Sequence, residues 1–138
     1  MISVRKQEVV KLENVLHLYQ AVGWTNYTHQ PQMLEQALSH SLAIYLALDG
    51  DAVVGLVRLV GDGFSSIFVQ DLIVLPSYQR QGIGRDLMKE ALEDFKDAYQ
   101  VQLVTEQTEK NLEFYCSLGF ETLSTYDCTG MIWVDRKK

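Results

Sequence analysis

The residues best suited to chemistry cluster in one stretch, Gln79-Arg80-Gln81-Gly82-Ile83-Gly84-Arg85, between an apolar run and a long amphipathic one. The first N–H groups of a helix have no acceptor inside it, and their dipoles sum to a partial positive charge. Glycines at the helix mouth let an anion approach that backbone. A strand, a loop and a helix in this order make a cradle for phosphate, and Arg80 and Arg85 add positive charge. The stretch does not read G-x-x-x-x-G-K-[ST]. It does not read G-x-G-x-x-G either, since Leu87 stands where the third glycine belongs. Taken alone, Gly82-x-Gly84 is equally compatible with a tight turn.

A second group lies downstream. Asn111 and Tyr115 are four residues apart, so on a short helix they share one face. A phenol, with its ordinary pKa of about 10, carries a proton at neutral pH and can exchange it with a group held beside it. Tyr115 could also be a packing residue with a wet tip. Cys116 has no histidine near it in sequence to activate it, and it reads as a buried packing thiol. Asp71 interrupts an apolar run, and an acid in such a place needs a reason. It could be a general base, a partner for a substrate ammonium, or an acceptor for neighbouring polar groups. Glu106 is the rival base, and a chain of waters would also serve. Trp24, Tyr27, Arg58 and Phe68 are candidates for the wall of a substrate pocket, although packing of their loop explains the first two as well. His17, His29 and His40 are far apart without ligand spacing, so no metal is expected.

These groups must be held by regular elements. Ile2 to Gln7 reads as a strand. Glu8 to Ala21 reads as a helix, with Val9, Leu12, Leu16 and Tyr19 at helical spacing. Trp24 to Gln30 reads as a loop, and Pro31 opens a second helix through Leu38. Leu42–Leu48 and Ala52–Val60 form a hairpin about Asp49-Gly50-Asp51. Ser66 to Leu75 is the next strand. Gly82 to Tyr99 is the clearest helix, with Ile83, Leu87, Met88, Ala91, Leu92, Phe95 and Ala98 on one face. Val101 to Thr105 is a strand, and Thr108 caps a helix ending at Gly119. Phe120–Tyr126 and Thr129–Val134 close the chain as two strands. The expected fold is α/β: a mixed, mostly antiparallel sheet of about seven strands with four helices, and a parallel step around the long helix. No repeat or linker divides residues 1–138, so one domain is expected.

The formal net charge of −6 disfavours nucleic acid and suits a cationic substrate. Arg136-Lys137-Lys138 reads as a solvated tail. No run of 18 apolar residues or signal-like start occurs, so no membrane span is expected. Cys116 and Cys128 read as reduced thiols of a cytoplasmic protein.

In combination these features resemble the GNAT acetyltransferases. Their signature Q/R-x-x-G-x-G/A is matched by Gln79-x-x-Gly82-x-Gly84, preceded by Val74-Leu75-Pro76 and Tyr78. A second segment, N-x-x-x-Y-x-x-x-G-F, is matched by Asn111, Tyr115, Gly119 and Phe120. The element order agrees along nearly the whole chain, and Gly23-Trp24-Thr25 followed by this central strand looks like the small-amine branch. The resemblance implies acetyl-CoA as cosubstrate. The amides of Gln81, Gly82, Ile83, Gly84 and Arg85 would hold its pyrophosphate, with Gln79 and Arg80 starting the loop. Leu72, Ile73 and Val74 would bond the pantetheine arm through their backbone and polarise the acetyl carbonyl. Asn111 would contact the cofactor, and Tyr115 would be the general acid. A primary amine, from a small molecule, a peptide N-terminus or a protein lysine, would attack directly through a tetrahedral intermediate. Homodimerisation through the C-terminal strands is a further expectation. The competing reading is an acyl-CoA-binding module without useful catalysis.

Overall fold

The structure, a computed structural model, describes residues 1–135, so the basic tail Arg136-Lys137-Lys138 lies outside the described residues. The chain forms two compact units, Met1–Leu103 and a second beginning at Val104.

The first unit holds one five-stranded sheet in the order β1-β2-β3-β4-β5: β1 (Ile2–Gln7), β2 (Ala43–Asp49), β3 (Ala52–Gly61), β4 (Ile67–Val74) and β5 (Val101–Leu103). The first four strands pair antiparallel, and β4 pairs parallel with β5. The hairpin between β2 and β3 turns on Gly50 and Asp51. Of these two only Gly50 has positive φ, at 60°, as a II′ turn requires at its first central position.

Three helices precede or interrupt the sheet on one side: α1 (Leu12–Ala21), α2 (Thr25–Thr28) and α3 (Pro31–Ser39). Val15, Leu18 and Tyr19 of α1, with Leu34 and Leu38 of α3, are buried against Ile44, Leu46, Leu56 and Ile73. Each such side chain contributes about 1.5–3 kcal/mol when taken out of water. The alternate residues of β2 serve the other face, where α4 (Ile83–Asp94) buries Ile83, Leu87, Met88 and Ala91. There the Tyr45 hydroxyl donates to Asp94 Oδ2 at 2.6 Å. A Cβ on Gly55 would stand 3.2 Å from Leu87 Cδ1 and 3.3 Å from Ala47 Cβ, so α4 rides close to the sheet. Burial on both faces explains why β2 and β3 read as continuous apolar runs.

The second unit holds α5 (Glu109–Ser117). The Thr108 hydroxyl accepts the Asn111 N–H at 3.1 Å, as the cap spacing predicts.

Several expectations need correction. The sheet has five strands rather than seven. Phe120–Tyr126 and Thr129–Val134 form no strand among the described residues, and Leu123–Tyr126 is a 3-10 turn. Their apolar pattern suits a strand, but a strand also needs a neighbouring edge to bond, and Met131, Ile132, Trp133 and Val134 are exposed. Among the described residues the helices number five rather than four, because Thr25–Thr28 coils into one short helix within the expected loop. The first helix starts at Leu12 rather than Glu8, since Lys11 is extended and Val9 is exposed. The long helix stops at Asp94. Glu93, Asp94 and Asp97 crowd an end whose partial charge is already negative, and no basic residue lies in its last turn. The fifth strand ends at Leu103 rather than Thr105.

Candidate active site

The loop from β4 to α4 begins with a 3-10 turn, Pro76–Tyr78, whose Tyr78 hydroxyl donates to Asp49 Oδ2 at 2.6 Å. Gln79 folds back, donating from Nε2 to the Val74 carbonyl at 3.1 Å. Arg80 then takes φ 66° and Gly82 φ 80°. A left-handed conformation costs a side chain other than glycine roughly 1–2 kcal/mol, so Arg80 marks a strained backbone of the kind found at functional sites. A Cβ on Gly82 would meet nothing within 4 Å. Conformation therefore favours glycine there, and the space above its backbone is open. Gly82 caps α4 without a side-chain acceptor, and the first helical bond runs from the Asp86 N–H to the Gly82 carbonyl at 3.0 Å. The amides of Ile83 and Gly84, in the first turn, thus precede the first intrahelical bond. Gln79, Arg80, Gln81 and Gly82 are exposed. An approachable backbone of this kind fits a pyrophosphate.

Upstream, β4 is divided along its length. Against β3 it pairs throughout, with a bulge: Arg58 faces Asp71 and Leu59 faces Val69, leaving Gln70 as the extra residue. Against β5 it pairs only at Ile67, Phe68 and Val69. From the bulge onward, the edge of β4 that includes Leu72, Ile73 and Val74 has no strand partner among the described residues. An open edge accepts an extended chain bearing amides, and a pantetheine arm has that character.

The bulge sits beside a buried polar cluster. Arg58 Nε lies 2.7 Å from Asp71 Oδ2, with both residues below 5% exposure. The Tyr19 hydroxyl donates to Asp71 Oδ2 at 2.8 Å, and the Tyr27 hydroxyl to Oδ1 at 3.0 Å. Arg58 also donates from Nη1 to the Ser41 hydroxyl and from Nη2 to the Tyr27 oxygen, both at 3.2 Å. Gln70 Nε2 lies 3.4 Å from the same oxygen. Both carboxylate oxygens of Asp71 are therefore occupied by donors, as a buried charge requires. Burial, then the Asp71 carboxylate, pushes the Tyr19 phenol far above its ordinary value. Burial, then Asp94, does the same to Tyr45.

A raised phenol pKa makes the folded state hold its protons more tightly than the unfolded chain. Stability is thus fully present below pH 10 and is expected to fall above it, by about 1.4 kcal/mol per phenol for each pH unit. Urea midpoints measured between pH 9 and 11.5 check this, and the Tyr19→Phe, Tyr45→Phe double variant should flatten the decline.

The other residues singled out in the sequence fall as follows. Trp24 and Tyr27 are half-buried, and their rings meet that of Tyr19 edge-on at 6.2 and 5.1 Å. Phe68 is half-buried on β4, next to the last paired residue. Arg58 is buried beneath Tyr27 rather than lining an open surface. Asn111 and Tyr115 lie on α5 in the second unit and are half-buried. Glu106 is exposed in the segment before α5. Tyr115 packs edge-on with Phe114 at 5.0 Å and Phe120 at 6.0 Å, and burial raises its phenol pKa. Gly119, at φ 101°, ends α5 in a Schellman turn: the Phe120 N–H reaches the Tyr115 carbonyl and the Gly119 N–H that of Cys116. This turn accounts physically for Gly119-Phe120 following Tyr115 at fixed spacing. Cys116 is exposed, correcting its reading as a buried thiol, and so is Cys128. The sequence reading missed Tyr19, Ser41 and Gln70. The polar pair Gln70-Asp71 inside an apolar strand was the available signal for a bulge.

Among the described residues, no group of His, Cys, Asp and Glu could hold a metal ion, and no helix is long and apolar enough to cross a membrane.

Residues 40–122 match the family model of the acetyltransferase (GNAT) domain. The solved structure of a GNAT-family acetyltransferase from Streptococcus pneumoniae TIGR4 is 79% identical in sequence, with a TM-score of 0.92 over 99% of each chain. The PaiA N-acetyltransferase of Thermoplasma acidophilum, solved in complex with coenzyme A, shares the fold. Its TM-score is 0.65 at 19% identity, over 88% of this chain and 90% of that one. The chloroplastic GCN5-related N-acetyltransferase 1 of Arabidopsis thaliana is 27% identical over 97% of this chain, which spans 68% of that protein's length. A mixed sheet whose central strand opens into a glycine-mouthed helix, and a family match across most of that sheet, lead to one conclusion: the chain belongs to the GNAT acetyltransferase family.

Proposed function

We propose that residues 1–138 act as one N-acetyltransferase domain, moving an acetyl group from acetyl-CoA to a primary amine of a small molecule or peptide. The observation that carries this reading is the left-handed, open backbone at Gly82 directly after a strand edge left unpaired. The amides of residues 81–85 would hold the pyrophosphate, with Gln79 and Arg80 shaping the loop. Leu72, Ile73 and Val74 would hold the pantetheine arm. Fixed donors there would also stabilise charge developing on the carbonyl oxygen. Asn111 is assigned to the cofactor and Tyr115 to protonation of the departing thiolate, both from the family motif. With both Asp71 oxygens already occupied, we assign loss of the amine proton to water rather than to Asp71 or Glu106. The coenzyme A complex of the Thermoplasma relative supports the choice of donor. Location in the cytoplasm accords with two cysteines outside any disulfide. A homodimer rests on the resemblance alone.

Calorimetric titration with acetyl-CoA and free CoA tests the reading. Micromolar binding is expected, weakened at least thirtyfold by a Gly82→Trp, Gly84→Trp double substitution. Absence of binding by the unaltered protein would overturn it. Binding without acetyl transfer to any amine would favour an acyl-CoA-binding module instead.

A further inference from the structure

The bulge residue Gln70 has a carboxamide whose orientation is dictated by its neighbours. A carboxylate can only accept hydrogen bonds, so the single proton of the Tyr27 hydroxyl goes to Asp71 Oδ1, at 3.0 Å. The Tyr27 oxygen is then an acceptor, approached by Arg58 Nη2 at 3.2 Å and by Gln70 at 3.4 Å. Gln70 must present its nitrogen to that oxygen, because the flipped amide would set two acceptors against each other. Its Oε1 is left pointing away from Tyr27, and among the described residues no group donates to it. The Gln70 side chain is exposed.

Its place along β4 matters as much as its orientation. The cradle follows the C-terminal end of β4, at residues 81–85, and the open edge runs back from Val74 toward the bulge. A ligand anchored by its phosphates at the cradle and extended along that edge brings its far end toward residues 70–72. Asp71 is buried there and Gln70 is exposed. An amine that attacks at that end needs an acceptor for one of its N–H groups. A neutral carbonyl serves better than a carboxylate, which would favour the ammonium form and withhold the lone pair.

We propose that Gln70 binds the acceptor amine, its Oε1 receiving an amine N–H, and that Tyr27, held by Asp71 and Arg58, is the positioning residue that fixes the carboxamide. The proposal rests on the acetyl-transfer reading above and names the group that orients its acceptor.

The test follows CoA release from acetyl-CoA with tryptamine, spermidine and lysine methyl ester as acceptors, with acetyl-CoA affinity measured alongside. Gln70→Leu is expected to raise the amine KM about tenfold and to change acetyl-CoA affinity less than twofold. Gln70→Glu keeps an acceptor but favours the ammonium of the bound amine, so the rise of kcat with pH, measured at saturating amine, should move up by about half a pH unit or more. Tyr27→Phe is expected to raise the amine KM about threefold, and to add nothing when Gln70 is already leucine. Transfer by the unaltered protein with Gln70→Leu within twofold of it, or an unmoved Gln70→Glu pH profile, overturns the assignment of Gln70 and leaves acetyl transfer standing. Binding of acetyl-CoA with no transfer to any of the three amines overturns both.

Discussion

Asp71→Leu is expected to destabilise the protein by about 3–5 kcal/mol, because it leaves the Arg58 guanidinium buried without its counter-charge. The Tyr19 and Tyr27 hydroxyls lose their acceptor in the same step, and unsatisfied buried donors add to the penalty. For a chain of 138 residues, the melting temperature should fall by roughly 10–20 °C. Thermal and urea unfolding measure this directly. The compensated variant Arg58→Met, Asp71→Leu should recover much of the loss, since an apolar pair can replace a buried ion pair at little net expense. A loss under 1 kcal/mol for Asp71→Leu would show that the cluster does not anchor α1 and α2 to the sheet.

The second large effect concerns turnover. Tyr115→Phe is expected to lower kcat about a hundredfold or more, the range in which a positioned acid contributes, with acetyl-CoA affinity unchanged within twofold. The substitution keeps the ring, so the edge-on packing with Phe114 and Phe120 and the turn at Gly119 should survive. Removal of the hydroxyl then isolates the proton. Burial raises the phenol's pKa, so it stays protonated throughout the neutral range, as a general acid must. Pre-steady-state measurement of thiol release with a saturating amine separates chemistry from product release. An unchanged kcat would assign the proton to water.

Much of this architecture can be read from local pattern. The hairpin at Asp49-Gly50-Asp51, the helix behind Gly82-x-Gly84 and the cap at Thr108 each depend on a few adjacent residues, and each occurs where the spacing puts it. What escapes is set by partners distant in sequence. Thr129–Val134 has a strand's composition, yet pairing depends on an available neighbour. Likewise Asp71 in isolation admits a base, an ammonium partner or a buried acceptor. Only the arrival of Tyr19, Tyr27 and Arg58 from three other elements shows its oxygens occupied. The polar pair Gln70-Asp71 hints at a bulge, but a bulge is a relation between two strands, so only the pairing of β3 with β4 identifies Gln70 as the extra residue.

The divided strand β4 has one more consequence. A row of unpaired backbone groups is a template on which chains of the same kind can stack and aggregate. Here the row is short, running only from the bulge at Gln70 to Val74, and it begins at a residue that bends and twists the strand. Brevity and twist are two of the devices by which sheet proteins discourage such stacking. One extra residue at position 70 thus stands where the pairing with β5 stops, and its twist makes the unpaired edge a poor template for self-assembly.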